Sequence, residues 1–201
     1  MDPYPVSFSV DSPQTLNRWT TGFRIILAIP VVLVLVLLGS SSAGFRILLL
    51  GSTSVVFLPT VLLLVIRHKY PRWWFDFALN LVRFEARATA YLFLLRDEYP
   101  SVDAEQAVHL DVPYPDAEAE LNRWLPLVKW LLALPHYIVL LVLEVAAIVV
   151  AIIAWFTILF TGRYPDSLFT FVVNVLRWNL RVSAYAFLLI TDRYPPFQLR
   201  P

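Results

Sequence analysis

The sequence contains no cysteine among its 201 residues. Disulfide bonds, thiolate nucleophiles and cysteine-ligated metal sites are therefore excluded. The three histidines, at positions 68, 109 and 136, do not have the spacing of a metal-ligand pair. The chain also lacks a phosphate-binding glycine loop, a nucleophile elbow and a dinucleotide fingerprint. We therefore expect a protein without enzymatic activity, cofactor or metal.

Charged residues are scarce: they make up 15% of the chain, against 59% apolar residues. The mean hydropathy is +0.67. A soluble domain of this size needs more charge to cover its surface, so a bilayer must supply part of the solvent. The net charge of +1 does not indicate a nucleic-acid partner, and we expect none. The first residues lack the pattern of a cleaved signal peptide, so insertion is expected to begin at an internal segment.

The sequence contains an internal repeat. Residues 16–19, Leu-Asn-Arg-Trp, return as residues 121–124, and the Tyr-Pro dipeptide at residues 70–71 returns at 164–165. The agreement runs through polar and aromatic positions, so shared hydrophobicity does not explain it. We predict two tandem repeats, residues 1–100 and 101–201.

Each repeat contains long apolar runs that predict a transmembrane hairpin. In the first repeat, helices at 21–38 and 45–66 flank a turn of small residues at 39–44. In the second, residues 125–161 are nearly continuously apolar, which is too long for one span. The repeat offset places Glu144 opposite Gly39, so we predict a turn at Glu144 between helices 125–143 and 145–161. A re-entrant hairpin that does not emerge on the far side is the alternative.

A third helix is predicted after each hairpin, at residues 73–95 and 168–190. Polar residues recur at spacings of three and four along both helices and form one stripe. The stripes consist of Asp76, Asn80, Arg83 and Arg87, and of Thr170, Asn174, Arg177 and Arg181. We interpret both as amphipathic helices in the cytoplasmic headgroup layer. Glu85 and Asn179 lie on the opposite face of these helices, so that face packs on protein or lies at a shallow depth in the membrane. The alternative is that the third helix of each repeat also crosses the membrane.

Short alternating segments precede the two hairpins. Residues 6–10 and 108–112 alternate in the same phase, which predicts β-strands that can pair and tie the repeats together. The predicted fold is an all-α membrane protein of two tandem repeats. Each repeat has a transmembrane helical hairpin and a cytoplasmic-side interfacial amphipathic helix, preceded by a short strand.

The basic residues predict the orientation. Of the 16 lysines and arginines, only Arg46 lies by a predicted outer turn. The others fall on the side that carries both termini, which the positive-inside tendency makes cytoplasmic. Four crossings would return the chain to that side. We expect a multi-pass protein of the bacterial cell (inner) membrane with both termini in the cytoplasm.

The paired arginines of the polar stripes are the leading candidate site. Two guanidinium groups one helical turn apart at headgroup depth suit a phosphate or another anionic lipid group. The alternative is a generic polar face whose arginines reach towards water. The Asn-Arg-Trp motifs are the second candidate: Asn as helix cap, Arg at phosphates and Trp as interfacial anchor. The candidate residues are Asn17, Arg18, Trp19, Asn80, Arg83, Arg87, Asn122, Arg123, Trp124, Asn174, Arg177 and Arg181.

Four other polar residues have competing interpretations. Glu144 and His136 are costly if they face lipid and, if within reach of each other, would suit a proton relay. Neither has a counterpart in the first repeat. Asp97 and Asp192 recur before Tyr-Pro and are interpreted as exposed acids at helix ends.

The second half resembles a known family. Residues 122–137 (NRWLPLVKWLLALPHY), 160–165 (FTGRYP) and 191–197 (TDRYPPF) closely resemble DUF4389, a family of bacterial membrane proteins of unknown function. The first repeat departs from this pattern, with Ile-Pro-Val in place of Leu-Pro-His. The resemblance implies a bacterial membrane protein and brings no activity.

These features suggest a non-enzymatic accessory or scaffold subunit of a larger membrane complex. The expected partners are membrane lipids, particularly anionic ones, and another membrane protein or a second copy of the chain. The alternative function is a small transporter or channel component with a path between the two repeats.

Overall fold

The computed structural model describes residues 4–39, 53–102 and 104–199. These are mainly helical, with a small two-stranded sheet. In chain order the elements are β1 (Ser7–Val10), α1 (Arg18–Gly22), α2 (Arg24–Gly39), α3 (Thr53–Leu62) with a π-helical turn (Leu63–Arg67), α4 (Arg72–Leu92), β2 (Val108–Asp111), α5 (Ala117–Glu120), α6 (Pro126–Leu132), α7 (Leu134–Thr161) and α8 (Asp166–Ala186).

The two predicted strands are present and pair with each other. β1 and β2 are antiparallel, with Phe8 opposite Leu110 and Val10 opposite Val108. These four side chains are buried, whereas the alternate residues Ser7, Ser9, His109 and Asp111 are exposed. Because successive side chains of a strand point to opposite faces, one face of the sheet packs on the protein and the other is exposed to solvent.

The helices α4 and α8 lie between the sheet and the apolar helices. β2 contacts α4 and β1 contacts α8, while α2 and α3 pack on α4 and α7 packs on α8. The main hydrophobic core joins both halves of the chain and includes Ala78 and Val82 of α4 and Val172 and Val175 of α8. We call α2, α3, α6 and α7 together the apolar layer.

The predicted turn at Glu144 is wrong. Helix α7 runs without a break from Leu134 to Thr161, and Glu144 is buried in its first half. The offset between the copies falls from 105 residues at Leu16 and Leu121 to 94 at Tyr70 and Tyr164, so the second copy lacks eleven residues. The missing residues correspond to the region where the first copy was predicted to turn. The helical segments on either side of Glu144 therefore continue as one helix.

The chain breaks earlier, at Ala133, which separates α6 from α7. Pro135 occupies the first turn of α7, where its missing amide costs no helical hydrogen bond. Among the described residues, α7 is the single helix with the length and hydropathy needed to cross a membrane. The two transmembrane hairpins predicted from the sequence are therefore not supported.

The first predicted hairpin is described in part. Helices α1 and α2 cover the segment predicted at 21–38, with a break at Phe23. Helix α3 and its π-helical turn cover the end of the segment predicted at 45–66. Most of the predicted turn, at residues 40–44, and the beginning of the second helix lie outside the described residues.

The two amphipathic helices end a few residues before their predicted ends. α4 ends at Leu92 instead of residue 95, and α8 ends at Ala186 instead of residue 190. Leu94 and Leu189 adopt positive φ values of 62° and 59°. A left-handed residue cannot continue a right-handed helix, so the chain turns at both positions.

Candidate functional site

The two Asn-Arg-Trp motifs adopt the same local turn. Asn17 Oδ1 accepts a hydrogen bond from the amide of Trp19 at 2.9 Å, and Asn122 Oδ1 accepts one from Trp124 at 2.9 Å. Asn17 thereby caps α1. The indoles of Trp19 and Trp124 are 78% and 63% exposed, so they are available to the surroundings of the protein.

The arginine of each motif lies at the end of a helix from the other half of the chain. Arg123 donates from Nε to the carbonyl of Val65 at 2.6 Å and from Nη2 to that of Ile66 at 3.0 Å. Arg18 lies against Gly162, which follows the last turn of α7: an added Cβ on this glycine would be 3.4 Å from Arg18 Nε. Cations are favourable at helix C-termini because the terminal carbonyls carry partial negative charge.

In each motif, the backbone amide of the asparagine is bonded by an aspartate that follows one of the two long amphipathic helices, α4 or α8. Asp97 accepts the backbone amide of Asn17 at 2.7 Å, and Asp192 accepts that of Asn122 at 2.6 Å. Asp97 and Asp192 are thus not freely exposed helix-end acids, as the sequence suggested. Their side chains are 28% and 24% exposed and hold the start of each repeat.

Both aspartates also form ion pairs with buried cations. Arg24 pairs with Asp97, and Lys129 Nζ lies 2.6 Å from Asp192 Oδ1. Arg24 is 2% exposed and Lys129 is fully buried. Burial lowers the pKa of the Lys129 ammonium, and the bond to Asp192 opposes that shift. A tyrosine ring lies against each cation, Tyr91 at 4.0 Å and Tyr185 at 5.3 Å.

These ion pairs were missed in the sequence, although a signal was present. Arg24 and Lys129 share the offset of the Asn-Arg-Trp motifs, and each copy also repeats one acid before its Tyr-Pro. A basic residue within an apolar run and an acid at the same place in each repeat indicate a paired charge. Contact between residues 73 positions apart nevertheless follows only from the fold.

The arginines at the centre of the polar stripes bind the sheet. Arg83 donates from Nε to the carbonyl of Leu110 at 3.1 Å, and Arg177 donates to that of Phe8 at 3.0 Å. The helix of each half is thus bonded to the strand of the other half. Arg83 and Arg177 also donate to the asparagine three residues earlier in their helices, Asn80 and Asn174.

The second arginine of each stripe also faces protein. Arg87 donates to the carbonyl of Ser101 at 2.8 Å. Arg181 is 5% exposed, and its burial, together with the charge of Arg177, lowers its pKa. Three of the four stripe arginines thus donate to backbone carbonyls of the sheet or of the segment between α4 and β2, and the fourth, Arg181, is buried. The side chain of Arg83 remains 36% exposed.

Large exposed apolar side chains are concentrated in the apolar layer. They include Ile25, Ile29, Leu33 and Leu37 of α2, Leu58 and Leu62 of α3, Leu127 and Leu131 of α6, and Ile138, Val142, Val149, Ile152, Phe156 and Phe160 of α7. Along α7, buried residues such as His136, Leu140, Ala147 and Ala154 recur at helical spacing, so its whole length packs by one side on the protein.

The polar groups of the apolar layer are turned inward or satisfied locally. In the described parts of its four helices, the acidic, basic and histidine side chains are Arg24, Lys129, His136 and Glu144, and all are buried. The exposed hydroxyls of Thr157 and Thr161 donate to carbonyls four residues earlier, at 2.9 Å and 2.7 Å. This pattern is compatible with a hydrocarbon environment, where water is absent and each polar group needs a partner within the protein.

An apolar groove lies where α2, the end of α4 and α7 meet. Its volume is about 500 Å³. The lining residues are mostly apolar and include Ile25, Leu92, Phe93, Ala151 and Ile152, with Arg24 and Thr89 as polar members. The groove has the size of a site for a hydrophobic ligand.

Glu144 and His136 have separate partners on α8. Trp178 donates from Nε1 to His136 Nδ1 at 3.1 Å, and Asn179 donates to Glu144 Oε1 at 2.6 Å. The ring of Phe197 stacks on His136 at 3.8 Å between centroids. The two residues are two turns apart on α7, and each is held by its own partner on α8; the described hydrogen bonds do not join the two side chains to each other.

Residues 124–198 match the family described as a domain of unknown function (DUF4389). The resemblance carried by the second half of the sequence is thereby confirmed for this part of the chain. Comparison with curated proteins gives no match. Comparison with solved structures gives none either.

Proposed function

We propose that the chain is a non-enzymatic membrane protein that contacts lipid and serves as an accessory or scaffold subunit of a larger membrane assembly. We further propose that this assembly lies in the inner membrane of a bacterium, with both chain termini in the cytoplasm. The partners that fit this role are membrane lipids and a second membrane protein or a second copy of the chain.

The observation that carries the proposal is the exposed side of the apolar layer. It presents aliphatic and aromatic side chains along four helices, while the layer's described charged groups are buried against α4 and α8. Exposed apolar patches of this extent are unfavourable in water and mark a surface that lipid or protein covers. The hydroxyls of Thr157 and Thr161 are satisfied within α7, so that these residues are compatible with contact to hydrocarbon.

The exposed tryptophans support contact with the headgroup layer. Trp19, Trp73, Trp124 and Trp130 are between 46% and 78% exposed. The first two lie in the first turns of α1 and α4, Trp124 precedes α6, and Trp130 lies within α6. Indole rings prefer the membrane–water interface, where the ring is partly desolvated and its N–H keeps a partner. We place lipid headgroups beside these residues instead of at the stripe arginines, three of which donate to carbonyls of the sheet or of the segment between α4 and β2.

We assign the groove between α2, α4 and α7 to a lipid acyl chain. It belongs to the same surface as the exposed apolar residues, because Ile25 and Ile152 contribute to both. The lining also weighs against the transporter alternative, since an ion or polar solute needs hydrogen-bonding groups along its path. In the described part of the chain, this groove between the two halves is lined mainly by hydrocarbon.

The proposal is tested by extracting the intact chain from bacterial membranes with an amphipathic polymer that retains native lipid. Mass spectrometry then identifies the lipids and proteins that co-purify. We expect the chain to stay in the membrane after alkaline carbonate washing and to retain phospholipid enriched in anionic headgroups, together with a recurrent protein partner or a second copy. Release by carbonate, or a lipid-free monomer without partners, would contradict the proposal.

A further inference from the structure

We infer that α7, although long enough to span a bilayer, lies along the membrane plane, with the apolar layer immersed in one leaflet and the sheet in water. This inference rests on the proposed membrane location and adds its geometry. The interaction surface is the exposed side of α2, α3, α6 and α7, and its partner is the hydrocarbon of a single leaflet.

The first step is the direction of α7 relative to α8. A link of four residues, from Gly162 to Pro165, joins the two helices and is short enough to bring α8 back alongside α7. The first half of α7 then lies against the second half of α8: Glu144 bonds Asn179, and the ring of Tyr137, seven residues earlier, stacks on that of Phe187, eight residues later, with 6.2 Å between the ring centroids. The helices therefore run side by side in opposite directions, and the orientation of one determines that of the other.

The second step is the position of the sheet along these helices. Arg177, which bonds β1, lies near the middle of the 21-residue helix α8. Arg83, which bonds β2, lies near the middle of the 21-residue helix α4. The sheet therefore sits beside the helix centres and not beyond their ends.

The third step is the charge on the outer face of the sheet. Asp111 and His109 have side chains that are 82% and 51% exposed, and the neighbouring Asp11 side chain is 64% exposed. If α7 and α8 crossed the bilayer, these groups would lie near its midplane, where a charged side chain is strongly disfavoured. If the helices lie in the plane, the same groups face water and the apolar layer faces lipid.

The dimensions also fit one leaflet. An α-helix with its side chains is about 10–12 Å across, and half of the hydrocarbon core is about 15 Å thick. One layer of helices thus fills a leaflet to most of its depth. Helix α7 supports this placement along its entire length, because Ile138, Val149 and Phe160 are 68%, 51% and 78% exposed at intervals of eleven residues on one face.

The absence of cysteine makes the depth measurement direct. Single-cysteine variants Ile138→Cys, Val149→Cys, Phe160→Cys and Ser9→Cys of the full chain are labelled with a nitroxide and reconstituted in vesicles of phosphatidylcholine and phosphatidylglycerol. Collision rates with oxygen and with a water-soluble nickel chelate then give the depth of each label. All four positions are exposed, so the labels leave the core unchanged.

An in-plane helix gives equal depths at residues 138, 149 and 160, within about one helical turn of 5 Å, and full access of the nickel chelate to residue 9. A spanning helix places residue 149 deeper than the other two by about 16 Å, from eleven residues at 1.5 Å each. That depth profile, with residue 9 inaccessible to the chelate, overturns the inference and leaves the membrane location intact. Failure of the chain to enter vesicles at all overturns the proposed function instead.

Polarised infrared absorption of the unlabelled chain in oriented bilayers provides a second measurement that needs no substitution. Helices lying in the plane give an amide I dichroism opposite in sign to that of transmembrane helices. Transmembrane dichroism for this mainly helical chain would also overturn the inference.

Discussion

Arg177 donates from Nε to the backbone carbonyl of Phe8 over 3.0 Å and joins the last long helix to the first strand. The corresponding bond from Arg83 to Leu110 runs in the reverse sense, from the first half of the chain to the second. With the pairing of β1 and β2, these bonds interlock the two halves. The sequence repeat therefore does not divide this structure into two separately packed halves.

Replacing Arg177 with methionine should lower the free energy of unfolding by about 1–3 kcal/mol. The Phe8 carbonyl loses a charged donor, while methionine keeps the apolar stem of the side chain. Thermal unfolding in detergent measures the change, and the exposed Arg163→Met variant is the control. An unchanged stability together with loss of bound anionic lipid would instead favour a headgroup role for the stripe.

The ion pair of Lys129 and Asp192 should behave as a coupled unit. Asp192→Asn keeps an oxygen for the amide of Asn122 but leaves a fully buried ammonium without its counter-charge. Breaking a buried pair costs about 3–5 kcal/mol, and partial exposure of Asp192 favours the lower end. The double variant Lys129→Met, Asp192→Asn should lose less than the single one, and a double-mutant cycle measures the difference. Additive losses would contradict the coupling.

Gly162→Ala should destabilise the chain by about 1–2 kcal/mol. Gly162 has a φ of 73°, which is costly for a residue with a Cβ, whereas the added methyl group would meet Arg18 Nε only in van der Waals contact at 3.4 Å. The matched control is Gly22→Ala in α1, where the nearest atom is 3.7 Å from the new Cβ and alanine improves helix propensity. Chemical unfolding should therefore change in opposite directions for the two variants.

Filling the groove should displace lipid. Ala151→Trp places an indole among the lining residues Ile25, Phe93 and Ile152, so we expect about one phospholipid fewer per chain by native mass spectrometry. Ile153→Trp, at an exposed position of the same helix outside the lining, should leave the stoichiometry unchanged. Equal lipid content in both variants would exclude an acyl chain from the groove.

Removing the exposed indoles should weaken membrane contact. Trp19→Ala and Trp124→Ala are expected to lower partitioning into vesicles and to lower it further when combined, because each removes an interfacial ring that has no role in the core. Fluorescence quenching by brominated lipids supplies an independent measurement: quenching should fall in both variants. No loss of quenching would show that neither indole reaches lipid.

Local features of the structure could be predicted because they depend on short-range periodicity. The alternation at residues 6–10 and 108–112 predicts the strands, and the stripe from Asn80 to Arg87 predicts an amphipathic helix with one polar side. The turn at Glu144 failed because it was transferred from the first copy across a point where the second lacks residues. Glu144 fits inside a continuous helix because Asn179, 35 positions away in sequence, supplies its hydrogen bond.

The sequence by itself determined that the chain is largely apolar and helical, that its halves repeat, and that arginines and aromatic residues recur at matching positions. Only the tertiary structure decided where those residues point. Arg83 and Arg177 of the stripes bind the two strands, and the acids at Asp97 and Asp192 neutralise buried cations. The physical reason is that a charged side chain pairs with whichever carbonyl or counter-charge the fold brings close to it. For Arg177 that partner, the Phe8 carbonyl, is 169 residues away along the chain.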